Sequence, residues 1–154
     1  TLEAMPNQKQ KIELHNQNIF EVGKEFKIGD LAINSFSIPH DAANPVGFNI
    51  YNKKSKLTVA TDLGHMDDKL IDSMKGSSFI LLESNYDENI LKYSRYPYLL
   101  KKRISSSNGH LSNICAAKTI KKLYTYGLNK ALLIHLSKEN NFPELVYETI
   151  KNET

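Results

Sequence analysis

Four short apolar runs, each leading directly into a histidine or a carboxylate, constrain this chain more than any other feature of its sequence. Residues 31–38 lead through Pro39 to His40, 57–61 end at Asp62, 79–82 end at Glu83, and 131–134 end at His135. Runs of this length read as strands. In layered α/β proteins the loops at the carboxyl ends of strands converge on a crevice where ligands bind, so the four residues are expected to meet. Two imidazoles and a carboxylate suit a divalent ion such as zinc or manganese, with Glu83 as a further ligand or as the partner that orients one. Singly, each residue carries little: a lone histidine is more often a hydrogen-bonded structural residue, and an acid after a strand often caps a helix or forms a turn. The joint pattern points to a site. His15 and His65 have no such setting and are expected at the surface.

Around these runs the chain reads as β-rich first and mixed α/β afterwards. Short strands are expected at 11–14 and 26–28, the latter joined to 31–38 by a Gly29-Asp30 hairpin turn, and further strands at 46–51 and 57–61. The stretch MDDKLIDSMKG reads as a short helix closed by Gly76. The unbroken run 79–82 predicts a strand covered on both faces. A tyrosine-rich helical region broken at Pro97 follows, then the clearest helix, 110–126. There Ala116, Ala117, Ile120, Leu123 and Tyr124 share one face and Lys118, Lys121, Lys122 and Thr125 the other. Gly127 caps it, and a last helix is expected over 143–150.

With 154 residues, 40% of them hydrophobic, the chain forms one domain or part of one, and a disordered or fibrous chain is excluded. A single cysteine, Cys115, excludes a disulfide framework and a cysteine-rich zinc cage, and no apolar run reaches the roughly 20 residues of a membrane span. A soluble, cytoplasmic protein with no membrane partner is the expectation. The chain opens on Thr1 instead of a methionine, which suggests a processed product or a piece of something longer.

Charge is unevenly placed. Between Lys92 and Lys130 lie nine cations and no Asp or Glu, whereas the whole chain carries only +3, so the remainder is net acidic. Such a run is commonly just a solvated helix face. Tyr93, Tyr96, Tyr98, Tyr124 and Tyr126, interleaved with the cations, give it a second meaning, a surface suited to phosphodiester backbones and stacked bases. His110 follows Ser105-Ser106-Ser107-Asn108-Gly109 and opens the 110–126 helix, where N–H groups and the dipole would draw a phosphate oxygen to the imidazole. Equally, Ser112 or Asn113 caps that helix and His110 stands idle.

The stretches IPHDAANPVGF, ATDLGH, LLESNYD, NGHLSN and LIHLSKENNFP, in this order, resemble the metallo-β-lactamase-fold hydrolases over about residues 26–143. The likeness is greatest to the small bacterial branch called YycJ or WalJ, and more distant to phosphodiesterases of the ribonuclease Z kind. The resemblance implies an α/β (α+β) fold, the αββα sandwich, of which this chain holds mainly the second sheet and its helices. It implies that His40, Asp62 and His135 are metal ligands, Asp62 bridging two divalent ions, zinc or manganese. It further implies that His110 is the catalytic histidine, with Glu83 beside it in the supporting shell. The family's His-x-His-x-Asp-His motif has no counterpart before His40, where only His15 lies. Three ligands cannot hold two ions, so the chain is expected to be the C-terminal portion of a longer domain, with the missing N-terminal part as its first partner, and to be catalytically incomplete alone.

The function expected from these residues is metal-dependent hydrolysis of a nucleic-acid phosphodiester, an exonuclease or phosphodiesterase acting on DNA before RNA. Lys101, Lys102, Arg103 and Tyr96 would bind the strand. The alternative is a noncatalytic nucleic-acid-binding domain whose metal site has decayed. A hydrolase of small thioesters or lactams is a third class, which the basic stretch disfavours.

Overall fold

The computed structural model describes residues 18–154. The strand expected at 11–14 and His15 lie outside them.

Six strands form one mixed sheet in sequence order: β1 (Glu25–Ile28), β2 (Leu31–Ser37), β3 (Val46–Tyr51), β4 (Lys56–Ala60), β5 (Phe79–Glu83) and β6 (Lys130–Ile134). The first four pair antiparallel as a meander, and β4, β5 and β6 pair parallel. Two reversals bring β2 into the same direction as β4, so β2, β4, β5 and β6 all end at one edge of the sheet. This places the four strand-end residues together. The Gly29-Asp30 turn forms as expected, with Gly29 at φ 58°, a left-handed backbone that glycine adopts without steric cost.

Helices α1 (Asp68–Met74), α2 (Glu88–Tyr93), α3 (Tyr98–Ile104), α4 (Asn113–Tyr124) and α5 (Pro143–Glu153) fill the connections. Asp67 caps α1 through Leu70 N at 2.8 Å, and Gly76 at φ 74° ends that turn. The carbonyls left open at the C-terminus of α1 are taken up by the sheet beneath it. Ser73 O accepts from Asn49 Nδ2 (2.9 Å) and Lys56 Nζ (2.7 Å), Lys75 O accepts from Lys56 Nζ (2.8 Å), and Met74 O accepts from Ser77 Oγ. Thr58 Oγ1 ties Asn49 to Ser77. Buried polar side chains are tolerated here because each has a partner.

Register divides the sheet into two unlike faces. Asn49, Thr58 and Ile80 line up across one, with Ala60, Leu82 and Leu133 beside them. Ala60, Ile80 and Leu82 are fully buried against Leu70, Ile71 and Met74 of α1 and Ala116 and Leu123 of α4. The other face aligns Phe48, Val59, Leu81 and Leu132, and then Ile50, Leu57 and Phe79. Phe20 packs on Phe26 and Phe48 there, but the rest is only half-buried, and Leu132 is 50% exposed. The expectation of a β5 strand covered on both faces is therefore corrected: among the described residues one face is layered with helices and the other is apolar and open.

Two further expectations change. Helix α4 begins at Asn113, not at His110, because the Ser112 hydroxyl accepts from Cys115 N and caps it. His110 is held outside the helix, and no phosphate site at that helix start is needed to explain it. Tyr124 is 74% exposed and does not join the buried face of α4, whose buried positions are Asn113, Ala116, Ala117, Thr119 and Leu123. No helix among the described residues is long and apolar enough to cross a membrane.

Candidate metal centre

At the common strand edge the backbone itself is unusual. Asp62 and His135, each just past its strand, are the two non-glycine residues with positive φ, at 59° and 58°, among those described. A left-handed turn costs an ordinary residue about 1 kcal/mol or more, and such strain gathers at functional sites. Here it is held in place by hydrogen bonds. Leu63 N, next to Asp62, donates to Glu83 Oε2 (3.0 Å), and Asn85 Nδ2 donates to His135 O (2.8 Å).

Three loops approach closely to complete the rim. Gly64 N donates to Pro39 O, Asp41 N to Asn108 O, and His110 N to Ile104 O. A Cβ on Gly64 would overlap the backbone of Ser107 and Gly109, and one on Gly109 would overlap the carbonyls of Arg103 and Ile104. Only glycine fits at these crossings. They bring Gly109 O to His40 Nδ1 at 3.0 Å.

Glu83, fully buried, is the centre of the arrangement. Its Oε1 accepts from both His110 Nδ1 and His135 Nδ1 at 2.7 Å, and its Oε2 accepts from Leu63 N and from Leu111 N (3.2 Å). Burial pushes the Glu83 carboxyl up, but the His110, Leu63 and His135 hydrogen bonds outweigh it, and the net shift is downward. The Glu83 hydrogen bond raises His110, opposed by burial and reinforced by the charges of Glu83, Asp62 and Asp41. An ionised Glu83 forces both imidazoles to carry a proton on Nδ1, which leaves Nε2 as the nitrogen free to act.

Asp62 Oδ1 stands 3.8 Å from His40 Nε2, 4.0 Å from His110 Nδ1 and 3.8 Å from His135 Nδ1. These separations are too long for hydrogen bonds. Of the three nitrogens only His40 Nε2 is free to bind, whereas the Nδ1 atoms of His110 and His135 are held by Glu83, which sets both rings beside Asp62. The His110 ring lies 5.3 Å from the rings of both His40 and His135. Donor atoms of Asp62, Glu83, His110 and His135 all fall within 4.8 Å of one another. Glu83 has both oxygens engaged by four N–H groups, so it suits holding the imidazoles better than binding an ion. His40, outside that tight group, has its Nδ1 engaged and its Nε2 between Asp41 Oδ1 (3.5 Å) and Asp62 Oδ1 (3.8 Å).

His40, Asp62, His110 and His135, with Glu83 buried behind them, face a cleft of about 490 Å³ lined also by Asp41, Asn85, Tyr96, Leu100, Arg103 and Gly109. Arg103 Nε pairs with Asp41 Oδ2 at 2.5 Å, and this guanidinium holds the Asp41 carboxyl below its usual range. His40, Asp62, Glu83, His110, His135, Tyr96 and Arg103 are thus brought together, but Lys101 and Lys102 are not. Lys101 Nζ bonds Lys92 O, and Lys102 is exposed outside the cleft. The basic stretch is also divided: Lys122 pairs with Asp68 and Lys121 with Glu153 O, on α4.

Sequence reasoning missed Asp41, Asn85 and Gly109, although all three stand in the stretches it singled out. It also missed the interlocked amides beneath the site. Asn113 and Asn141 exchange hydrogen bonds of 3.0 and 2.8 Å, Ser84 Oγ donates to Asn113, and Asn141 donates to Ser84 O.

A family model described as "Beta-lactamase superfamily domain" matches residues 2–136. The chain belongs to that superfamily. Its sheet and helices are those of a metallo-β-lactamase-fold domain: the metallo-β-lactamase fold protein YhfI from Bacillus subtilis superimposes with a TM-score of 0.73 at 17% identity, over 97% of this chain and 55% of that one. The superfamily chain is 36% identical over 155 residues to the exodeoxyribonuclease WalJ of Streptococcus pneumoniae, covering 99% of this chain and 58% of WalJ. It is likewise 36% identical to the exodeoxyribonuclease YycJ of Bacillus anthracis, over 94% of this chain and 55% of YycJ. The chain thus spans a little over half the length of these relatives. For a superfamily domain, the Asp62, His135 and His40 donors fit a divalent cation: they mix carboxylate and imidazole, lie at a rim open to the cleft, and have His135 oriented by a buried carboxylate.

Proposed function

We propose that the protein of which this chain is a part is a metal-dependent hydrolase that cleaves phosphodiester bonds in DNA. The observation that carries this is the grouping of Asp62, His135 and His40 around one rim, with His110 pinned by Glu83 on the same cleft as Arg103. The two relatives named exodeoxyribonuclease support DNA as the substrate.

His40, Asp62 and His135 would hold metal, and a second divalent ion would need further ligands from a preceding part of the domain. Bound divalent ions supply a water of lowered pKa and neutralise phosphoryl oxygens. The chain's own residues do the rest. Glu83 fixes the tautomer of His110 and makes its protonated form cheaper, so Nε2 can give a proton to the leaving oxygen. Arg103, exposed and paired with Asp41, can exchange that carboxylate for a phosphate. Tyr96 forms an aromatic wall, and Lys101 and Lys102 bind the backbone outside the cleft, which makes affinity fall with added salt.

The chain's share of its relatives' length and the open apolar sheet face both support its being the C-terminal portion of an αββα sandwich, the open face packing on the preceding portion. The setting we infer is the cytoplasm. The test is the full-length protein with manganese or zinc, assayed on DNA strands and on a chromogenic phosphodiester. His110→Ala and Asp62→Ala should each abolish turnover, and wild-type rates in both would refute the assignment. Metal analysis separates the alternative, because a noncatalytic DNA-binding module would hold no stoichiometric ion.

A further inference from the structure

Helix α3 has no buried residue, which is unusual for a helix of a folded domain. Together with α2 it displays Tyr93, Tyr98 and Leu99 at 77%, 75% and 77% exposure, so these large side chains serve no core. Exposed Lys92, Arg95 and Lys102 stand among them, Lys92 Nζ lies 5.3 Å from the centre of the Tyr93 ring, and no acid occurs from there to Lys130. The two sides of α3 do different things. Leu100, Arg103 and Ile104, spaced i, i+3, i+4, face the cleft with Tyr96, whereas Tyr98, Leu99 and Lys102 turn outward.

We propose that the α2–α3 segment is a stacking platform for an unpaired DNA strand, which delivers a single terminal nucleotide past Tyr96 into the cleft. The proposal rests on the nuclease function above and names the form of its substrate. Rings with cations between them match a single strand, since every base has a face to stack and every linkage a charge to neutralise. Acids stand at the borders of the segment, Glu88 at the start of α2 and Glu139 beside Tyr93 and Arg95, but the cations outnumber them, which favours a polyanion. The cleft, about 490 Å³ as this chain bounds it, has the size of a small-ligand site, and a terminal nucleotide is the part of a strand that it would receive.

The test uses the full-length protein and nuclease-resistant phosphorothioate strands carrying 2-aminopurine near the end. The combined variant Tyr93→Ser, Tyr98→Ser, Leu99→Ser should bind the single strand at least 10-fold more weakly and lose the fluorescence quench of the stacked base. Tyr93→Phe with Tyr98→Phe keeps the rings and should retain both. Wild-type protein should bind an unpaired end more tightly than a blunt duplex of the same sequence. Equal binding by the serine variant overturns the platform, as does wild-type affinity for the blunt duplex matching that for the strand. Hydrolysis of the chromogenic phosphodiester by wild-type protein reads the function separately. Turnover with undiminished strand binding by the serine variant overturns the platform alone, and no turnover with lost binding overturns the hydrolase while the platform stands.

Discussion

Replacing Glu83 by glutamine changes one acceptor atom in a buried group that serves four donors, and the direction in which the amide settles decides the outcome. With its NH2 toward Leu63 N and Leu111 N, two buried backbone donors lose their acceptor, at about 1–3 kcal/mol each. With its NH2 toward the imidazoles, it donates to His110 and His135, whose Nδ1 atoms now stand 2.7 Å from the carboxylate oxygen. That requires both rings to move their proton to Nε2, a change of tautomer that costs little and keeps every hydrogen bond. The second arrangement wins. The expected loss of stability is therefore modest, about 1–2 kcal/mol for exchanging charge-assisted bonds for neutral ones. Metal affinity should fall much further, by about 10–100-fold or more, because Nε2 of His135 is no longer a free lone pair. Full-length wild-type and variant proteins should be compared by titration calorimetry with manganese or zinc, by thermal unfolding with and without metal, and by nitrogen NMR of the imidazoles. Metal affinity within threefold of wild type, with the Nδ1–H tautomer intact, would refute the role given to Glu83.

Gly109→Ala forces a Cβ into the Arg103 and Ile104 carbonyls, so it should cost about 1–3 kcal/mol by overpacking and also weaken metal binding, both read from unfolding with and without metal. Burial pushes the Lys56 ammonium down to about 8, so from pH 8 to 10.5 the unfolded chain holds a proton that the folded chain has released, and stability rises with pH. Its hydrogen bonds to the Ser73 and Lys75 carbonyls trim that rise, and urea unfolding should show a gain of at most about 2 kcal/mol at pH 9.5 over pH 7.5, absent in Lys56→Met. Neutralising Lys101, Lys102 and Arg103 to glutamine should lower the salt slope of DNA binding by about two to three, whereas Lys118, Lys121 and Lys122 to glutamine should leave it nearly unchanged, by anisotropy titration. Equal effects would show that net charge, not place, governs binding.

The contrast within the candidate site shows what a sequence can convey about a structure like this one. His40, Asp62, Glu83 and His135 were legible because strand direction alone fixes which edge a strand end reaches, and the β2 to β6 order aligns four ends at one edge. The surroundings of those residues were less legible. That Glu83 serves both His110 and His135 depends on partners 27 and 52 residues away. No local pattern encodes that pairing. The capping of α4 by Ser112 was offered as one of two possibilities, and it took tertiary contacts, Gly109 against Ile104 and Leu111 N on Glu83, to draw His110 off the helix and into the cleft. The covering of β5 failed for the opposite reason. An apolar run reports that a strand wants both faces buried, and it does so whether or not the covering layer lies in the same stretch of chain. Leu81 and Leu132 carry that demand on a face left open among the described residues. On the domain organisation we propose, the overstated burial and the absence of the family's metal-ligand motif from this stretch share one explanation, a preceding half of the sandwich that would supply both the layer and the remaining ligands. Hydrogen exchange on the full-length protein tests this. The β4 and β5 amides should be protected in it, and they should exchange faster by about 10-fold or more in residues 18–154 expressed alone, if that piece folds with its apolar face in water.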